Sequence, residues 1–167
     1  GAGAVVVHGG SVPRRYPDWV REEGRRNTIE SLRACAEHAA EVGVPLCLEN
    51  QPFDDRNERH TVGPDALAET LDAVGIGPDV LGITLDVGHA SVNGNDWREY
   101  VDRFGDRIRV CHLHDNDGAS DAHDPLTDYE PIVDAVGATY NVFETKAVGD
   151  VATCLGQETD RTPPTQP

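Results

Sequence analysis

Five short apolar runs, each ending in a residue able to ligate a metal, constrain this chain more than any other feature. AVVVHGG reaches His8, PLCLEN reaches Glu49, LGITLDV reaches Asp86, IRVCHL reaches His112 and TYNVFET reaches Glu144. Their length and β-branched content, with Gly, Pro or charged residues at their ends, predict strands over 4–10, 45–50, 81–87, 108–113 and 139–145. Helical patterns fill the intervals. Asn27 and Glu30 have capping-box spacing ahead of an apolar stripe of Ile29, Leu32, Ala36, Ala39 and Val42, which Gly43 closes. Pro64 opens a second helix with Leu67, Leu71 and Val74 inward and Gly75 as its stop. Asn95 or Asp96 caps a third, with Trp97, Tyr100, Val101 and Phe104 on one side and Gly105 at its end. Helices are also expected over 130–137 and 147–156. Residues 11–26, with Pro13 and Pro17, read as a long loop with one helical turn near Trp19, and 51–63 as another loop. The composition of 157–167, QETDRTPPTQP, is that of a disordered tail, which leaves 1–156 as one domain.

Strands alternating with helices predict an α/β fold with parallel βαβ connections. In such folds functional groups project from the C-terminal ends of the strands, and here all five strands end in a metal-competent residue. An open doubly wound sheet would gather its site at one switch point, often with a glycine fingerprint, and neither sign is seen. The reading is therefore a (β/α)8-barrel type, represented by about five consecutive β/α units of an incomplete barrel.

The chemistry is densest in IRVCHLHDNDGASDAH, where an apolar run breaks into His112, His114, Asp115, Asp117, Asp121 and His123. Glu49, Asp86, His112 and Glu144 come from four different strand ends and form the expected ligand set of one divalent ion. Three carboxylates and one imidazole suit Mn²⁺, Mg²⁺ or Co²⁺, admit Zn²⁺ or Fe²⁺, and argue against a structural zinc. His89 follows Asp86 in D-V-G-H, with Gly88 allowing the chain to turn so that both side chains face the site. Asp121-x-His123 is expected to add a second metal or to hold a substrate oxygen. His114 is expected to point to the opposite face from His112, and His38 and His60 to lie on the surface.

Charge speaks to solvent more than to function. The net charge is −16, from 30 acidic and 14 basic residues, and only one of the basic residues is Lys. Acidic residues spread along the whole chain with scarce Lys predict a halophilic protein and disfavour a nucleic-acid partner. Cys35, Cys47, Cys111 and Cys154 lie far apart with no C-x-x-C, as expected of buried free thiols in a cytoplasmic protein. No long apolar span suggests a membrane. The absence of Met and the strand that follows almost at once on Gly1 predict a piece of a longer gene product or a processed start.

VVVHGG, LENQPF, ITLDVGHA, VCHLHDNDG with its later D-x-H, and FETK resemble, in this order, the xylose-isomerase-like (β/α)8 superfamily, over about residues 4–146. That group includes sugar-phosphate isomerases and epimerases and the apurinic endonuclease IV enzymes. The resemblance to the epimerases implies Glu49, Asp86, His112 and Glu144 as metal ligands, with Glu49 and Glu144 also moving protons as the catalytic pair. The resemblance to the endonucleases implies that His8, His89, Asp121 and His123 join them in a multi-zinc cluster. The family supplies three more strands ahead of the one ending in His8, and a glycine-rich turn where this chain has PLTDYEP. Five strands alone leave exposed edges.

Three functions follow as expectations. The first is a divalent-metal-dependent isomerase or epimerase of a sugar, sugar phosphate or polyol, passing through a metal-stabilised enediolate and acting on a small carbohydrate, with a homo-oligomer compatible. The second is an endonuclease IV-type phosphodiesterase on abasic DNA, for which Arg14, Arg15, Arg25, Arg26, Arg56 and Arg59 are the candidate grips. The third is a truncated barrel without turnover.

Overall fold

In the computed structural model, which describes residues 1–157, the strands and helices alternate as β1 (Val5–His8), β2 (Ser11–Pro13), α1 (Asp18–Val42), β3 (Leu46–Glu49), β4 (Asn57–Arg59), α2 (Gly63–Val74), β5 (Leu81–Asp86), α3 (Val87–Val92), α4 (Trp97–Phe104), β6 (Ile108–Leu113), α5 (Glu130–Val136), β7 (Tyr140–Phe143) and α6 (Val148–Cys154). Apart from Gln157, the tail expected to be disordered lies outside the described residues. The five expected strands are β1, β3, β5, β6 and β7. They pair in parallel and in chain order.

Side chains alternate across each strand, and that alternation positions the site. Leu46, Leu48, Leu81, Ile83, Leu85, Cys111 and Leu113 face the helices. They pack against Leu32 and Ala36 of α1, Leu67, Leu71 and Val74 of α2, Tyr100 of α4 and Ile132 and Val136 of α5. The opposite phase carries Val6 and His8, Glu49, Thr84 and Asp86, Val110 and His112, Tyr140 and Val142. His8 is in register with Glu49, and Asp86 with His112. The sheet curls into a half-barrel around this second face. Gly3, ahead of edge strand β1, lies against the Tyr140 hydroxyl on the far edge strand β7, leaving no room there for a side chain.

Four local expectations are overturned. Helix α1 begins at Asp18, after Pro17, so the capping-box pair lies inside a 25-residue helix. The preceding segment is no loop: β2 and β4 form an antiparallel ribbon, Ser11 opposite Arg59 and Pro13 opposite Asn57. Val12 packs directly over Gly24 of α1, and Arg21 pairs with Glu58, so the ribbon covers the helix start and supplies packing that the local pattern does not reveal. His60, expected on the surface, is buried, with Nδ1 3.1 Å from the Gly9 carbonyl oxygen. All four cysteines are free, but Cys35 is exposed while the other three are buried. No described helix is long and apolar enough to cross a membrane.

Candidate metal centre

Glu49, Asp86, His112 and Glu144 meet at the C-terminal rim because four strands end there in the same phase of the pleat. One ligand atom from each lies within 4.8 Å of those of the other three. His112 Nδ1 is 2.9 Å from Glu144 Oε2 and 3.7 Å from both Glu49 Oε1 and Asp86 Oδ2. Asp86 ends β5 and caps α3, accepting a 2.7 Å hydrogen bond from the His89 amide. Asn50, just past the end of β3, clamps Asp86: its Nδ2 donates to the Asp86 carbonyl (2.9 Å) and its Oδ1 accepts from the Asp86 amide (2.8 Å). Asn50 was not among the expected site residues, although its place directly after Glu49 was the available signal.

A second group of four forms beside the first: His89, His114, Asp121 and His123, again with ligand atoms within 4.8 Å of one another. The expectation for His114 is thus wrong. Residues two apart in an extended strand share a face, so continuing the pleat past His112 brings His114 into the site. His114 is fully buried, and its Nε2 lies 2.9 Å from Asp86 Oδ1. Asp121 and His123 return to the rim because the long loop closes on itself. Asp115 and Asp124 exchange two 2.8 Å backbone hydrogen bonds, and Asn116 Nδ2 ties the loop to the Gly88 carbonyl. Asp121 Oδ2 is then 3.3 Å from His89 Nε2 and 3.4 Å from His123 Nε2. His89 and His123 each place Nδ1 against a backbone carbonyl, that of Asn50 at 2.9 Å and of Glu144 at 2.8 Å. Donation there orients Nε2 towards Asp121, as is usual for metal-ligating imidazoles. His123 adopts φ 53, the one positive value outside glycine among the described residues, a conformation sustained only where surroundings enforce it. His8 belongs to neither group of four but lines the same cavity, exposed, with Nε2 3.4 Å from Glu49 Oε2.

The electrostatics favour ionised carboxylates facing charged imidazoles. Burial opposes ionisation of Glu49, yet contacts with His112, His8 and His89 outweigh it and hold the carboxyl far below its ordinary range. Asp86 behaves alike: burial raises it, and His112 and His114 bring it down by more. Burial depresses His112, but Asp86, Glu144 and Glu49 push it up to about 11. For His89, burial is likewise outweighed, by Glu49 and Asp86, and the result is about 9.

The donor sets fit cations. His112 Nδ1 and Glu144 Oε2 face each other at 2.9 Å without a well-aligned hydrogen bond, and the buried His114 Nδ1 and Asp121 Oδ1 have no hydrogen-bond partner among the described residues, the condition of polar atoms that coordination can satisfy. Three carboxylates and one imidazole match Mn²⁺, Mg²⁺ or Co²⁺, whereas three imidazoles and one carboxylate match Zn²⁺ better. Both groups border a cavity of about 210 Å³. A larger cavity, about 560 Å³, lies between Phe53, Pro64 and Glu99, away from these ligands.

Known proteins resemble this chain in sequence and in fold. The chain is 36% identical over 123 residues to the uncharacterized protein MJ1311 of Methanocaldococcus jannaschii, covering 71% of this chain and 40% of that one. It superposes on the crystal structure of a D-tagatose 3-epimerase-like protein with a TM-score of 0.77 and 27% identity, over 93% of this chain and 60% of the other. The D-allulose 3-epimerase of Methylomonas sp. shares the fold, with a TM-score of 0.61 and 18% identity, over 87% of this chain and 52% of the other. The chain therefore spans only 40 to 60% of the length of these proteins. Residues 1–144 match the model of one family, and with the parallel half-barrel and its rim of strand-end residues this match shows that the chain belongs to the xylose isomerase-like TIM barrel family.

Proposed function

We propose that this chain carries the metal-holding and proton-moving face of a divalent-metal-dependent isomerase or epimerase of a sugar, sugar phosphate or polyol. The convergence of Glu49, Asp86, His112 and Glu144 from four strand ends carries the reading, and the likeness to a D-tagatose 3-epimerase-like protein supports it. A divalent ion held by these four residues supplies Lewis acidity towards a carbonyl and its neighbouring hydroxyl. Of Glu49 and Glu144, one removes the proton α to the carbonyl and the other returns it. Asn50 and His114 keep Asp86 in place while this happens. Four free cysteines support a reducing, cytoplasmic setting, and the acidic composition supports adaptation to salt. The test is solvent deuterium exchange at a ketose carbon with Mn²⁺ or Co²⁺ bound. Exchange that is lost in Glu49→Gln supports the reading, and its absence in the metal-loaded protein contradicts it.

The second group of ligands favours one alternative, a multi-zinc phosphodiesterase acting on abasic DNA. Two or three tightly bound zinc ions together with nicking of abasic DNA would establish it in place of the isomerase.

A further inference from the structure

The cavity bordered by both ligand groups contains one permanently charged cation among its described lining residues, Arg59. Arg59 ends β4 of the ribbon, which the sequence alone does not predict. Its guanidinium is held in place by two contacts, one of them an ion pair. Nη1 donates to the Pro52 carbonyl at 2.9 Å, a partner without net charge. Nη2 lies 3.4 Å from Asp54 Oδ2, a long single contact. Asp54 is already committed elsewhere: it accepts from the Arg56 amide (2.8 Å), the Asn57 amide (2.9 Å) and the Asn57 side chain (3.0 Å). Those bonds, led by the Asn57 side chain, keep Asp54 ionised down to about pH 2, so the turn that anchors Arg59 is set at all physiological pH values. A guanidinium offers five donors in a rigid fork, and these two contacts leave the others for a ligand. The remaining charge in the cavity wall comes from Glu49, Asp121, Glu144 and imidazoles, all of them suited to cations. Once such groups are coordinated, Arg59, whose pairing with Asp54 is a single contact at 3.4 Å, is the cationic group left facing a half-enclosed space, where charge acts more strongly than in bulk water.

On the basis of the isomerase reading, we propose that Arg59 is a specificity residue that binds an anionic group on the substrate, a phosphate or a carboxylate, and that the substrate is an acidic sugar and not a neutral ketose. A guanidinium fork is suited to either anion because both accept two parallel hydrogen bonds. The ribbon then serves to carry this fork to the mouth of the metal site.

Calorimetric binding to the metal-loaded protein tests this with three probes: D-fructose, D-fructose 6-phosphate and D-fructuronate. The wild type is expected to bind one of the two anionic probes at least tenfold more tightly than D-fructose, roughly the worth of one charge-assisted hydrogen bond, and which anion wins identifies the group. Arg59→Gln is expected to remove that margin and to leave metal content unchanged. Arg59→Lys, which keeps the charge but loses the fork, is expected to retain part of it. Equal affinity for all three probes, no binding of either anion, or a margin that survives in Arg59→Gln would each overturn the proposal. Deuterium exchange on the same probes is scored separately: a binding margin without exchange at any sugar carbon would sink the isomerase reading and leave the anion site standing.

Discussion

His114 Nε2 lies 2.9 Å from Asp86 Oδ1, and the His114 ring occupies the space that a side chain on Gly88 would require. The glycine of D-V-G-H thus makes room for a second imidazole that reaches Asp86 from β6. Gly88→Ala would drive a methyl group into that ring. The expected outcome is destabilisation by about 1–3 kcal/mol, the usual cost of overpacking a buried site, with reduced metal content because Asp86 loses a contact that positions it. Urea denaturation and elemental analysis of the variant read both effects. Wild-type stability and metal content would show that His114 moves aside freely.

Protonation of the imidazoles makes a second prediction. His112 and His89 are raised from 6.5 to about 11 and about 9, so both carry a proton at pH 7 when no metal is bound. A folded-state pKa above the unfolded one stabilises the fold fully below pH 6.5, and that contribution is lost as pH rises through the folded values. Metal-free protein is therefore expected to lose stability progressively as pH rises above 6.5, with the His89 contribution gone by about 9 and the His112 contribution by about 11. Coordination needs neutral imidazole, so metal uptake at neutral pH must expel protons. Titrating Mn²⁺ calorimetrically in two buffers of different ionisation enthalpy measures this. Heats independent of the buffer would show that no proton leaves.

With a net charge of −16, the thermal midpoint is expected to climb as KCl goes from low to molar concentration, because screening relieves repulsion among the carboxylates. A midpoint flat across that range would remove the inference of salt adaptation.

The parallel sheet and its rim of metal-competent residues were legible in the sequence for one reason. Alternation along a strand and the polar residue at its end are local signals, and five runs carrying the same signal fix both phase and rim. His114 was equally legible, since it lies two residues after His112. It was missed through the wrong parity, not through any lack of signal. The ribbon was different. β2 and β4 have three residues each and lie more than forty positions apart, and β2 contains Pro13, so no periodicity marks them. Their pairing is held by Val12 over Gly24 and by Arg21 with Glu58, contacts that no single stretch of sequence contains. Burial of His60 and the placement of Arg59 both follow from that ribbon, and were hidden with it.

Whether Glu49, Asp86, His112 and Glu144 together hold a divalent ion is measured most directly by anomalous diffraction from crystals of the chain grown with Mn²⁺. The expected result is a manganese peak bonded to all four side chains, at the roughly 2.0–2.3 Å typical of oxygen and nitrogen ligands. Its loss in Asp86→Asn would follow from the same account. Crystals of the wild type with no peak among these four residues, or with manganese bound only elsewhere, would contradict it.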